Sequence, residues 1–316
     1  MTLSSGLAAQ IGWAVETTAG TYATPTAFAP LLSESIKFNA PDVVSSGLRA
    51  GRRTQQVRRK AGSWAEGSVS FELAPQGVGK LMRAMFGGVS TTGSSPYTHT
   101  FTPGALADDA LTVQVGRPAL GGTVHAFSYL GAQVTDWTIA STIDDFVMLD
   151  LSLYALHEVT SESLATATYP TGWAPFVFTE GSVSVASSDI SLRSFSITGN
   201  NGLETGRHRI SATTAARPKQ SQEAGWRVYE GSLVADFESL TAYNRFVNGT
   251  EAALSIVISS GASASLTIAG NIRFTGETPV VSGPEILEQP LPFVFTSATS
   301  DAAAITATLV NTDATP

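Results

Sequence analysis

Glu66-Gly67-Ser68-Val69-Ser70-Phe71-Glu72-Leu73 alternates polar and apolar residues, and the stretch 75–86 that follows changes period. Val69, Phe71 and Leu73 fall on every second position, as in a strand with one buried face. Val78, Leu81, Met82, Met85 and Phe86 then recur at helical spacing, which predicts a helix over 75–86. Pro75 suits its first turn and Gly87-Gly88 supply a stop. The same succession returns at Glu230-Gly231-Ser232-Leu233. With Gly67 set on Gly231, Val69 meets Leu233, Leu73 meets Phe237 and the acid Glu72 meets the acid Asp236. A second helix is expected over 239–248, with Ser239 as cap, Leu240, Tyr243, Phe246 and Val247 as its apolar face, and Gly249 at its end.

A second repeat lies upstream. Gly47-Leu48-Arg49-Ala50-Gly51-Arg52 and Gly202-Leu203-Glu204-Thr205-Gly206-Arg207 share the pattern G-L-x-x-G-R, and each follows an expected strand, 33–38 and 192–198. Each half therefore reads as strand, long loop, strand, helix and further strands, the mark of an internal duplication. Alternation elsewhere predicts strands at 111–115, 124–130, 134–140, 146–154, 182–186, 254–258, 265–274 and 291–295. The expected fold is mainly β: two tandem β-sandwich domains, each with one short α-helix and a long strand-connecting loop. The first domain spans 1–165 with its long loop at 39–65. The second spans 166–298 with its long loop at 199–226. The boundary is placed in the Ser-, Thr-, Pro- and Gly-rich stretch 160–175. Residues 299–316 form a tail or, through 305–310, a last strand.

Composition limits what such a chain does. It has 316 residues, 43% of them apolar and 14% charged, which suits two packed cores and not disorder. A net charge of −8 argues against a general nucleic-acid binder, which needs a basic face. With no cysteine, disulfide frameworks, zinc-thiolate sites and cysteine nucleophiles are ruled out. The first twenty residues lack the basic start and apolar core of a signal peptide, and no stretch is long and apolar enough to span a bilayer. A protein made and kept inside a cell is expected. His99, His125, His157 and His208 show no ligand spacing, and the sequence has no P-loop, G-x-S-x-G or H-E-x-x-H motif. No catalytic residue, metal or cofactor is expected.

Three sets of residues stand out. Arg49, Arg52, Arg53, Arg58, Arg59 and Lys60 place six of the chain's 18 basic residues in the first long loop, with Arg207 in the second. Such a cluster serves as a contact for an acidic neighbour, as a solvated loop, or as a nucleic-acid site; the overall charge disfavours the last. Glu72 and Asp236, with Asp136 and Asp150 as further candidates, line the polar faces of strands, either facing solvent or facing a channel. Trp64, Trp137, Trp173 and Trp226 are candidates for interface anchors or for the core. Trp64 and Trp226 precede equivalent strands, which favours a shared structural role.

The first ninety or so residues resemble the tail tube proteins of siphophages. Gly20-Thr21-Tyr22-Ala23-Thr24-Pro25, Ser33-Glu34-Ser35-Ile36, Gly47-Leu48-Arg49, and Gly67-Ser68-Val69-Ser70-Phe71-Glu72-Leu73 with its helix carry the resemblance in their order and spacing. It implies tail-tube-like β-sandwiches whose strands join a continuous barrel around a channel, in rings that stack into a tube for DNA. The duplication points to the tandem type, with a homotrimeric, pseudo-sixfold ring. The resemblance further implies that the long basic loop touches the next ring and that DNA passes without specific binding, and it makes Glu72 and Asp236 candidate lumen acids. Implied partners are further copies of the chain and tape-measure, tail-terminator and baseplate proteins, with no membrane. The implied location is the virion tail, assembled in the host cytoplasm. Copy two departs from the pattern in lacking the long basic run. The alternative is a monomeric tandem β-sandwich that binds a receptor or surface.

Overall fold

The computed structural model describes residues 5–55, 57–107, 109–210, 218–276, 278–281, 283–284, 286–297 and 299–316. Its first half runs β1 (Gln10–Val15), β2 (Ala27–Ala29), β3 (Ser33–Glu34), β4 (Lys37–Asn39), β5 (Asp42–Val44), β6 (Arg58–Lys60), β7 (Trp64–Glu72), α1 (Gly79–Phe86), β8 (Gly87–Gly93), β9 (Tyr97–Pro103), β10 (Leu111–Pro118), β11 (Val124–Thr142), β12 (Met148–Ala155) and β13 (His157–Val159). Its second half runs β14 (Gly181–Val185), β15 (Ser188–Asp189), β16 (Leu192–Asn200), β17 (Leu203–Glu204), β18 (Gln222–Glu223), β19 (Val228–Asp236), α2 (Thr241–Asn248), β20 (Ala252–Gly261), β21 (Ala264–Phe274), β22 (Glu288–Thr296) and β23 (Thr306–Asn311). The fold is mainly β, as the period-2 alternation requires. Residues 160–176 carry neither helix nor strand.

One sheet organises the rest. Its strands lie in the order β3/β4, β7, β12, β11, β16, β19, β22, each antiparallel to the next. Phe71, Leu149, Ile139, Ile197, Gly231 and Phe293 stand opposite one another across six of these strands. Directly opposed residues share a face, and every side chain in this row is buried. A second layer covers that face in two pieces. β2, β1, β10, the first part of β11 and β13 form one, and Trp13 of β1 meets Phe71 of β7 with ring centroids 5.7 Å apart. β15, β14, β20, β21, β23, β9 and β8 form the other. The buried residues of both pieces belong to one hydrophobic cluster.

The pairing register repeats between the halves. Ser33 pairs Ser70 and Lys37 pairs Glu66; Ser194 pairs Val234 and Thr198 pairs Glu230. Glu72 pairs Met148 as Asp236 pairs Glu288. The three-strand unit β3/β4–β7–β12 thus recurs as β16–β19–β22, with Gly67 at the place of Gly231. Both glycines are there for the same reason. A β-carbon on Gly67 would come 2.5 Å from Ser35 O, and one on Gly231 would strike the equivalent Ser196 O. Ser33-Glu34-Ser35-Ile36 and Ser194-Phe195-Ser196-Ile197 share S-x-S-I at these positions, a further sequence trace of the duplication.

The segments 124–130 and 134–140, expected as two strands, are one strand of 19 residues, β11, that passes from one layer to the other. Its first part pairs β10, its second part pairs β12 and β16, and a bulge between Val134 and Asp136 re-aims it. At the corner Gly131 has φ +65°, and its N–H donates to Glu16 Oε1 at 2.9 Å. The same carboxylate accepts from Gly20 N at 2.6 Å and Thr112 Oγ1 at 2.7 Å. Glu16→Ala leaves these buried donors without their acceptor, so the unfolding free energy should fall by about 3 kcal/mol, measured by urea titration at pH 7. Burial, the larger influence, raises the Glu16 carboxyl above its ordinary 4.5 against the pull of its hydrogen bonds. On top of these hydrogen bonds, the stability linked to its proton is fully present below about pH 4.5 and is lost as pH rises through the raised value; Glu16→Gln should remove that slope.

Both helices begin later than expected. α1 starts at Gly79 because the backbone of the preceding turn bonds elsewhere: Asn311 Nδ2 donates to Pro75 O at 2.8 Å, and Gly77 N donates to Asp313 Oδ2 at 2.8 Å. The five apolar residues that predicted the helix are all buried. α2 starts at Thr241, whose N–H donates to Ser239 Oγ at 3.3 Å. Its predicted apolar face packs only in part. Ala242 and Phe246 lie against the core, while Leu240 and Val247 are exposed. The stretch 305–310, a tail or a last strand by sequence, supplies most of β23, which pairs β21 of the second half and β9 of the first.

Candidate functional site

The face of the inner sheet opposite the core is uncovered by the second layer. Ser70, Asp150, Thr138, Thr198, Glu230 and Val294 form one row across it, and Glu72, Met148, Ala140, Ser196, Ser232 and Pro292 the next. Small hydroxyls dominate. Glu66, Glu72, Asp136, Asp150, Glu230, Asp236 and Glu288 share this face with three cations among the described residues, Lys37, Arg193 and, opposite Val294, Arg273. Arg193 reaches the face at a bulge and is spent on Asp236 at 3.3 Å and Glu288 at 3.0 Å. Asp150 accepts from Ser70 Oγ and Asp136 accepts from Asn200 Nδ2, so two more carboxylates are fixed in the plane of the sheet. The result is a smooth, short-chained, net acidic surface that runs without a break from the first half to the second. Glu72, Asp136, Asp150 and Asp236, singled out from sequence, all lie on it.

The two long loops are arms. In the first, β5 pairs β6, and Lys60 Nζ bonds Asp42 Oδ1 at 3.1 Å. Arg49, Arg52, Arg53, Arg58, Arg59 and Lys60 are all exposed, as is Leu48 at the tip; Gln56 lies outside the described residues. Gly47 and Gly51 belong to this tip, where Gly51 takes φ +78°. In the second arm β17 pairs β18, and Leu203 stands opposite Glu223. Gly202 and Gly206 both have positive φ, and the second glycine of the G-L-x-x-G-R motif, Gly206 like Gly51, takes it in both copies. Arg207 pairs Glu204 at 3.1 Å within its own arm, and residues 211–217 lie outside the described residues. The arms meet at their roots, where His208 packs on Trp64 with ring centroids 6.0 Å apart. Arg227 then holds the second arm down, donating to Gly104 O at 2.6 Å and pairing Glu223 at 2.7 Å.

Trp64 and Trp226 do not share a role. The register sets Trp64 opposite Asn39 and Val228 opposite Asn200, so Trp226 sits two residues off, and it is 92% exposed. Trp137 is core and Trp173 is half-buried. Among the described residues no three metal-ligating side chains cluster, and no helix is long and apolar enough to cross a membrane.

A protein-family model described as phage tail tube protein matches residues 6–295. The chain belongs to the phage tail tube protein family. As a tail tube protein it is a structural component of the virion tail and works by associating with copies of itself into a tube. The match extends through both halves, well beyond the first ninety residues on which the sequence resemblance rests. No curated protein compared with this tail tube protein matches it.

Proposed function

We propose that the chain forms closed rings in which the open acidic sheet face lines a central channel, and that these rings stack through the arms. The observation that carries this reading is the single sheet face that crosses both halves in one register. A duplicated unit that already joins its own copy edge to edge is built to join a further copy in the same way, and a head-to-tail contact that closes gives a ring. Closure removes the open edges that would otherwise invite uncontrolled pairing. Three chains, each with two units, make a pseudo-sixfold ring.

A lining of Ser, Thr and carboxylates, in which acids outnumber cations, repels phosphate, so duplex DNA slides without specific binding. The exposed arginines of the first arm reach acidic surface on the next ring. The tube of such rings takes its length and its ends from tape-measure, tail-terminator and baseplate proteins, and assembles in the host cytoplasm. Glu72→Lys with Glu230→Lys tests the lining. The variant should still assemble but should retain a short DNA duplex in co-sedimentation at low salt, at least ~10-fold more than the native tube. Equal retention by both would place this face away from the channel.

A further inference from the structure

The seam between the two halves contains a strand that the far end of the chain lacks. β12 is followed by the second part of β11, which pairs β16. β22 stands where β12 stands in the repeat, with Glu288 at the place of Met148, Pro290 at that of Asp150 and Pro292 at that of Ser152. β21 follows the course of β11 up to the bulge. Phe274 pairs Phe293 as Val134 pairs Leu153, and Thr275 N donates to Pro292 O at 2.8 Å. There the copies part. β11 continues from Asp136 to Thr142 between two strands, whereas residues 278–281, Thr-Pro-Val-Val, carry no strand pairing. Val280 and Val281 are 73% and 76% exposed.

Two sheet edges lack a strand partner among the described residues. One is β22 over 288–290. Since Pro292 O faces outward to Thr275, Pro290 also turns its backbone to that edge, which therefore offers a carbonyl there and no N–H. The other is β3/β4, which pairs only β7, although its repeat equivalent β16 has β11 on the far side. Ile36 on this edge corresponds to Ile197, whose partner is Ile139; residue 279 corresponds to Ile139. Pro279 has no N–H to give Ile36 O, which already accepts from Arg117 Nη2 at 2.8 Å and Tyr129 OH at 3.2 Å, and Ile36 N–H donates to Glu34 Oε2 at 3.0 Å, so this pair meets through its side chains and the backbone bonds fall to the positions on either side.

We infer that residues 278–281 form the missing strand on assembly, bonded on one side to β22 of their own chain and on the other to β3/β4 of a second copy. The seam β12–β11–β16 within one chain is then repeated between chains. This rests on the ring reading above and names the segment that closes it. Val280 corresponds to Ala140, which stands opposite Ser196, the equivalent of Ser35. Val280 of one chain therefore faces Ser35 of the next as a non-hydrogen-bonded pair, with Cα atoms about 4.5 Å apart, within reach of a disulfide.

The native chain has no cysteine, so the variant Ser35→Cys/Val280→Cys reports this contact alone. Assembled protein treated with oxidised glutathione should run on a non-reducing denaturing gel as disulfide-linked chains, while the unassembled protein stays single. In the native protein, the Val280 and Val281 amides should exchange at least ~100-fold more slowly after assembly. Rings that form without linked chains and without slowed exchange overturn this inference and leave the ring reading standing, as does a disulfide closed within one chain. Failure of the native protein to form rings at all overturns the ring reading itself.

Discussion

Trp137→Ala should lower the unfolding free energy by about 3–5 kcal/mol, the range for removing a fully buried tryptophan. Trp137 lies on β11 at the seam, with its ring 5.1 Å from Phe86 of α1 and 6.1 Å from Tyr229 of β19. It therefore packs elements of both halves against one another. Its indole N–H is buried without an acceptor, so the loss is one of packing and cavity formation, with no hydrogen bond to replace. The bed beneath the ring is Gly199, where a β-carbon would strike the indole. Gly199→Val is the complementary lesion and should be at least as damaging, because backbone and ring cannot both stay in place. Urea unfolding of the dispersed protein measures both. A loss below about 1 kcal/mol for Trp137→Ala would mean that the seam is not packed as described.

Replacing Arg52, Arg53, Arg58 and Arg59 together with serine should leave the subunit's stability within about 0.5 kcal/mol of native and abolish long tubes. These side chains are exposed on an arm that buries nothing of its own, so folding does not depend on them. On the proposed stacking, their charge acts outside the subunit. If they reach acidic surface on the neighbouring ring, added salt screens the contact, and native tubes should shorten as sodium chloride rises from 0.05 to 0.5 M, roughly a threefold drop in screening length. Sedimentation and electron microscopy read both effects. Tubes of native length from the four-serine variant would remove the arm from the stacking contact.

Much of the fold is legible in the sequence, for identifiable reasons. Val69, Phe71, Leu149, Leu151 and Leu153 alternate because one face of their sheet is buried and the other is not. The E-G-S repeat marks equivalent strands because each glycine admits a carbonyl of its neighbour, and a larger residue would collide. Other features leave no local trace. The late start of α1 depends on Asn311 and Asp313, more than 200 residues away, taking backbone groups that a helix would use. β11 reads as two strands because the corner near Gly131 interrupts the alternation, although the ladder continues through it. Leu240 and Val247 have helical spacing and still face solvent, since spacing sets which residues share a face and not what covers it.

The candidate surfaces divide in the same way. The acids Glu72 and Asp236 could be placed on equivalent polar faces from sequence. That both faces are one surface, with Asp136 and Asp150 between them, follows only from the seam where β11 pairs β16. Trp226 and Trp64 both stand close to the repeat in sequence, but the register separates them by two residues, and Trp226 lies ahead of β19 in the exposed arm.

The central claim is that the sheet face carrying Glu72, Asp150, Glu230 and Asp236 lines a closed channel. The most direct test is a side-chain-resolved electron cryomicroscopy reconstruction of tubes grown from the purified full-length chain. The account predicts three chains per ring, pseudo-sixfold sheets continuous from chain to chain, and these four carboxylates on the inner wall. A tube with this face on its outer surface or buried between rings would contradict it.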